Sequence, residues 1–123
     1  MKLFLACFLA ASIAHAEPVP LFDGKTFAGW EGDIGTVWRI EDGAFVAGSL
    51  EKKQEKNNFL ATTKTYGDFK LTLKWKLEGT EGFVNGGVQF RTVRIPNHHE
   101  VSGYQADLGK GYDFLEQTRE VCR

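Results

Sequence analysis

The sequence predicts an all-β fold, largely antiparallel, on three observations. Glycines and turn dipeptides recur along the 123-residue chain at strand-length intervals, as in Asp23-Gly24, Glu31-Gly32-Asp33, Asp42-Gly43, Tyr66-Gly67-Asp68, Glu78-Gly79 and Asn85-Gly86-Gly87. That punctuation marks many short strands and argues against helices. Over 69–77, Phe69, Leu71, Leu73, Trp75 and Leu77 alternate strictly with Lys70, Thr72, Lys74 and Lys76. Such a period buries one face of a strand and wets the other, whereas a helix would scatter the five apolar residues around its axis. The same test gives weaker strands at 38–40, 44–47, 59–62, 88–93 and 104–108.

The N-terminus reads as a leader rather than as part of that fold. Lys2 is followed by an apolar run over 3–14 and then by Ala14-His15-Ala16, the small-residue pattern that precedes a signal-peptidase cut. Residues 1–16 are therefore expected to be a signal peptide, with export to a periplasmic or extracellular location. The run is well short of the ~20 apolar residues that span a bilayer, so no membrane span is expected. Cys7 lies inside the apolar run, which argues against a lipoprotein.

Cleavage would leave Cys122 alone, with no intramolecular disulfide to staple the fold, so burial must hold it. The formal net charge is −1 with both signs interspersed, which points away from nucleic acid and from an anionic membrane. The charged stretch 50–58 reads as a solvated loop without chemistry, and 113–123 allows a short helix.

Alternation also sorts the polar candidates. On 88–93, Val88 and Phe90 take one face and Gln89 and Arg91 the other. On 104–108, Tyr104 and Ala106 oppose Gln105 and Asp107. If these strands neighbour 69–77, then Lys74, Lys76, Gln89, Arg91, Gln105 and Asp107 share one polar surface. Planar donors and amide or carboxylate acceptors with aromatic rings nearby suit a carbohydrate; on alternation alone an ordinary solvated sheet face is the simpler reading.

The connecting segment 94–103 holds His98 and His99, which as neighbours in an extended chain cannot both face one site. Their spacing matches no zinc pattern, and two ordinary surface histidines outweigh a metal site. There is no phosphate loop, nucleophile elbow or His-Glu-x-x-His helix. The paired strand carboxylates of a two-carboxylate glycosidase are missing too, because 69–77 carries lysines there.

Five motifs in order resemble one family. They are Leu21-Phe22-Asp23-Gly24-Lys25 with Gly29-Trp30, Trp38-Arg39-Ile40-Glu41-Asp42-Gly43, Tyr66-Gly67-Asp68-Phe69, Asn85-Gly86-Gly87-Val88-Gln89-Phe90-Arg91, and Gly103-Tyr104-Gln105-Ala106-Asp107. Together they are similar to the 3-keto-disaccharide hydrolase domain, also described as 3-keto-glucoside lyase or 3-keto-2-hydroxyglucal hydratase.

The resemblance implies a concanavalin-like jelly-roll β-sandwich and a sugar or 3-keto-sugar ligand. It also implies a mechanism without a carboxylate pair. A ketone at sugar carbon 3 acidifies the hydrogen at carbon 2, one general base removes it, and the glycosidic oxygen leaves. Arg91 then stands as stabiliser of the enolate, and His98, His99 or Asp107 as base or as ligand of a divalent metal. Lys74, Lys76, Gln89, Tyr104 and Gln105 stand as substrate contacts.

The match runs to Tyr112, beyond which 113–123 resembles nothing in the family. The expected organisation is thus a leader over 1–16, the N-terminal part of the domain over 17–112, and a divergent tail from truncation or frameshift that leaves the jelly roll incomplete at its C-terminus. Three readings stay open: an enzyme of this kind, a non-catalytic carbohydrate-binding module, and an inactive fragment.

Overall fold

The computed structural model describes residues 17–81, 84–108 and 121–122. Within them every regular element is a strand: β1 Trp30–Glu31, β2 Trp38–Glu41, β3 Ala44–Ala47, β4 Ala61–Thr62, β5 Lys70–Leu71, β6 Gly86–Arg94, β7 Val101–Leu108 and β8 Val121–Cys122. They pair antiparallel as β1 with β4, β2 with β3, β5 with β8 and β6 with β7. The all-β class therefore stands. The leader over 1–16 and most of the tail over 113–123 lie outside the described residues; within that tail Val121–Cys122 is extended and paired rather than helical.

Local sequence accounts for the tightest turn. β2 and β3 close through Asp42 and Gly43 alone, at φ of 48° and 75°. A two-residue loop with both φ values positive matches the right-handed twist of its strands, and Asp-Gly is a favoured pair for it. Upstream, the Asp23 carboxylate accepts from the Thr26 hydroxyl at 2.6 Å and from the backbone N–H groups of Thr26 and Lys25 at 2.7 and 2.8 Å. These bonds favour the charged carboxyl, and they hold its pKa down to about 2.

Apolar packing gathers in two places. Phe45 of β3 meets Phe22, Phe27 and Trp30, with ring centroids 3.8, 5.3 and 4.8 Å away, and Trp30 Nε1 donates to Leu21 O at 3.2 Å. The second is the 69–77 stretch, where exposure alternates residue by residue as its sequence predicts. Only Lys70 and Leu71 join a ladder, with β8. Two contacts link this stretch and its flank to β6: Asp68 accepts from Arg91, and Leu77 Cδ1 lies 3.8 Å from where a Cβ on Gly86 would sit. No described side chain is fully buried.

Candidate functional site

β6 and β7 form the longest ladder, and their register sets out the first group of candidates. Gln89 faces Gln105 and Gly87 faces Asp107, while Val88 and Phe90 face Ala106 and Tyr104. Directly paired residues share a face, so Gln89, Gln105 and Asp107 lie together as alternation predicts. They form a hydrogen-bonded row: Gln89 Nε2 donates to Gln105 Oε1, and Gln105 Nε2 donates to Asp107 Oδ1.

Gly87 makes the row possible. A Cβ there would stand 2.7 Å from Gln105 Cγ and Cδ, so Gln105 lies across the bare backbone. Tyr104 is on the opposite face, stacked on Phe90 at 5.8 Å and 67% exposed. It is therefore not a core residue, and it does not share the Gln89 surface.

Alternation stops at Phe90. Between the pairs Phe90–Tyr104 and Val93–Ser102, two residues of β6, Arg91 and Thr92, oppose Gly103 alone, which is a β-bulge. Thr92 takes the place above Gly103, its Cα 2.6 Å from where a Cβ would sit, and its hydroxyl is 3.4 Å from Gln89 Oε1. Thr92 thus continues the Gln89 face, and Arg91 is the extra residue. Arg91 has φ 52°, a region that costs a residue with a Cβ. Its Nη2 donates to Asp68 Oδ1 at 2.7 Å, with 45% of the side chain exposed, so most of the guanidinium donors stay open to solvent. Lys74 and Lys76 are exposed, and Lys76 Nζ pairs with Glu78 Oε1 at 2.6 Å.

His98 and His99 lie elsewhere, on a polar cleft of about 320 Å³. One wall comes from Glu31, which ends β1, with Gly32 and Asp33 after it, and another from Asn57, Asn58 and Phe59. The third is Arg94 with the two histidines. Arg94 ties these segments together: Nε and Nη2 reach Glu31 Oε1 at 2.9 and 2.7 Å, and Nη2 also reaches Phe59 O at 3.2 Å. Asn58 is held from both sides, donating to Asp33 Oδ2 and accepting from Trp38 Nε1 at 2.8 Å.

The histidines sit on a turn in which Pro96 precedes Asn97 at φ 58°, closed by His98 N–H to Ile95 O at 3.2 Å. That is the type II pattern, Pro second and a positive φ third. Their rings stack at 4.5 Å. Glu100 N–H donates to His98 Nδ1 at 3.1 Å, which places the proton of the neutral ring on Nε2. His99 Nε2 is 3.3 Å from Glu100 Oε1, which also accepts from Asn57 Nδ2 at 2.9 Å.

The candidate set therefore divides in two. Gln89, Gln105 and Asp107 form one row across β6 and β7, Arg91 stands out of that row at the β6 bulge and is anchored to Asp68, and His98 and His99 belong to the cleft. Asn57 and Asn58, the last two residues of the 50–58 stretch, line that cleft. Glu31, Asp33, Asn58 and Arg94 carry no local pattern that would have marked them. Among the described residues no three His, Cys, Asp or Glu side chains converge as a metal-binding group, and no helix is long and apolar enough to cross a membrane.

No curated protein and no solved structure matches the chain. One family model does, the 3-keto-alpha-glucoside-1,2-lyase-like domain, over residues 17–122. That span takes in both the Gln89–Gln105–Asp107 row and the histidine cleft, and the chain belongs to the 3-keto-alpha-glucoside-1,2-lyase-like domain family.

Proposed function

We propose that this chain is an exported, carbohydrate-active domain, built as a concanavalin-like jelly roll, that cleaves 3-keto-glycosides by elimination and hydration on the β6–β7 face. The observation that carries the reading is the Gln89–Gln105–Asp107 row across β6 and β7, with the Asp68-anchored Arg91 at the bulge two residues beyond Gln89, inside the region that matches the family. Asp107 Oδ1 accepts from Gln105, which holds the carboxylate in place while Oδ2 keeps its lone pairs for a proton. In the elimination Asp107 takes the carbon 2 proton, the electron pair of that C–H bond enters the enolate with the carbon 3 oxygen, and Arg91 donates to that oxygen. The enolate then collapses, the bond from carbon 1 to the glycosidic oxygen breaks, and the departing alkoxide takes the proton that Asp107 now carries, which restores the carboxylate. Addition of water across the new double bond completes the hydration. The two glutamine amides, each with a donor and an acceptor, suit sugar hydroxyls.

The exposure of Arg91 and Asp107 supports a second reading, a carbohydrate-binding module, because a site open to water weakens every electrostatic interaction that catalysis needs. The test is incubation of the protein with a 3-keto-glucoside. Release of the aglycone, lost in Asp107→Asn, supports the lyase. Saturable binding without release supports the module, and the absence of both overturns the two readings together.

A further inference from the structure

We infer that the cleft between β1, the 57–59 segment and the β6–β7 connection is a second, separate binding site, for a single neutral sugar unit. Its volume of about 320 Å³ lies at the small end of ligand pockets, which run from roughly 300 to 1,000 Å³, so it suits one pyranose ring rather than a glycan chain. Its walls offer donors and acceptors in planar groups, as vicinal hydroxyls require: the Asn57 and Asn58 amides, the Arg94 guanidinium, and the Asp33 and Glu31 carboxylates.

These groups are held in place before any ligand arrives. Arg94 is fixed by Glu31 and Phe59 O, and Asn58 by Asp33 and Trp38, so little side-chain freedom remains to be lost on binding. The histidine pair adds one group of each kind. With Nδ1 of His98 taken by the Glu100 N–H, His98 Nε2 is left as a donor. With Nε2 of His99 against the Glu100 carboxylate, His99 Nδ1 is left as an acceptor in the neutral ring.

Charge selects the ligand. Glu31 and Asp33 outnumber Arg94, so the lining repels an anion, and a neutral sugar is favoured over a uronate. The site stands on its own chemistry, and it holds whether or not the β6–β7 face turns over any substrate.

The test is an NMR titration of the isotope-labelled protein with methyl α-glucoside, with glucuronate and a neutral trisaccharide in parallel. Saturable shifts at Asn57, Asn58, Arg94 and the two histidines, stronger for the glucoside than for glucuronate, are expected. An equal response to the trisaccharide identifies the occupant as the terminal residue of a longer glycan, and a weaker one identifies a free monosaccharide. His98→Ala, which removes one donor from an exposed turn, should weaken binding about 3- to 10-fold, the range of one lost hydrogen bond. Arg94→Ala should weaken it further, and His98→Ala serves alone if the Arg94 variant loses its native spectrum. The inference is overturned by shifts confined to β6 and β7, by no saturation at the cleft, or by glucuronate binding as well as the glucoside.

Discussion

Arg91 separates a stability role from a chemical one, because its backbone and its side chain make opposite demands. At φ 52° a residue with a Cβ is disfavoured by about 1–2 kcal/mol relative to glycine. Arg91→Gly relieves that strain, loses about 0.5–1 kcal/mol through the greater freedom of the unfolded chain, and forfeits an exposed ion pair worth about 0–1 kcal/mol. The net change should lie within about 1 kcal/mol of zero. Arg91→Ala keeps the strain and loses the pair with Asp68, for a destabilisation of about 0–1 kcal/mol.

Turnover should respond quite differently. If Arg91 donates to the enolate oxygen, both variants should lose on the order of 100-fold or more in kcat on a 3-keto-glucoside, about 2.7 kcal/mol of transition-state stabilisation, with KM changed less. Denaturant melts and single-turnover kinetics on the three proteins are the assay. Turnover within a few-fold of the parent would remove Arg91 from the mechanism, and an Arg91→Gly variant several kcal/mol less stable would show that the bulge conformation is not strained.

Three further outcomes are expected. Gly87→Ala places a methyl against Gln105 Cγ and Cδ, so it should break the contacts of Gln105 with Gln89 and Asp107 and weaken sugar binding at that face, while stability moves by less than about 1 kcal/mol because Gln105 is exposed and can swing away; unchanged binding at that face counts against the row. The Asp23 carboxyl has a folded pKa lowered from 3.8 to about 2, so its turn contributes fully above the unfolded value and loses that contribution as pH falls through the folded one. The amide shifts of Lys25 and Thr26 should therefore persist down to near pH 2, and a midpoint at the unfolded value would contradict the hydrogen bonding described. Long-range proton–nitrogen NMR should find the neutral His98 ring protonated at Nε2, because Nδ1 accepts from Glu100 N–H; Glu100→Gln should shift the His99 nitrogens and leave the His98 tautomer in place.

What could be read from the sequence is what repeats locally. Turn dipeptides and a period of two yield the all-β class, the Asp42-Gly43 hairpin, the alternating exposure along 69–77, and a shared face for Gln89, Gln105 and Asp107. Each depends on the covalent geometry of a few neighbouring residues. The five motifs likewise pointed to the family that the chain belongs to.

Tertiary structure decided what depends on a partner strand or a distant segment. β1 is two residues long, too short for a period to announce. The bulge exists only because two residues of β6 oppose one of β7, and it is this count that removes Arg91 from the alternation and brings it to Asp68. The cleft is assembled from residues 31–33, 57–59 and 94–99. No local signal links those segments, since their contacts are made by the folded chain closing long loops rather than by any spacing along it.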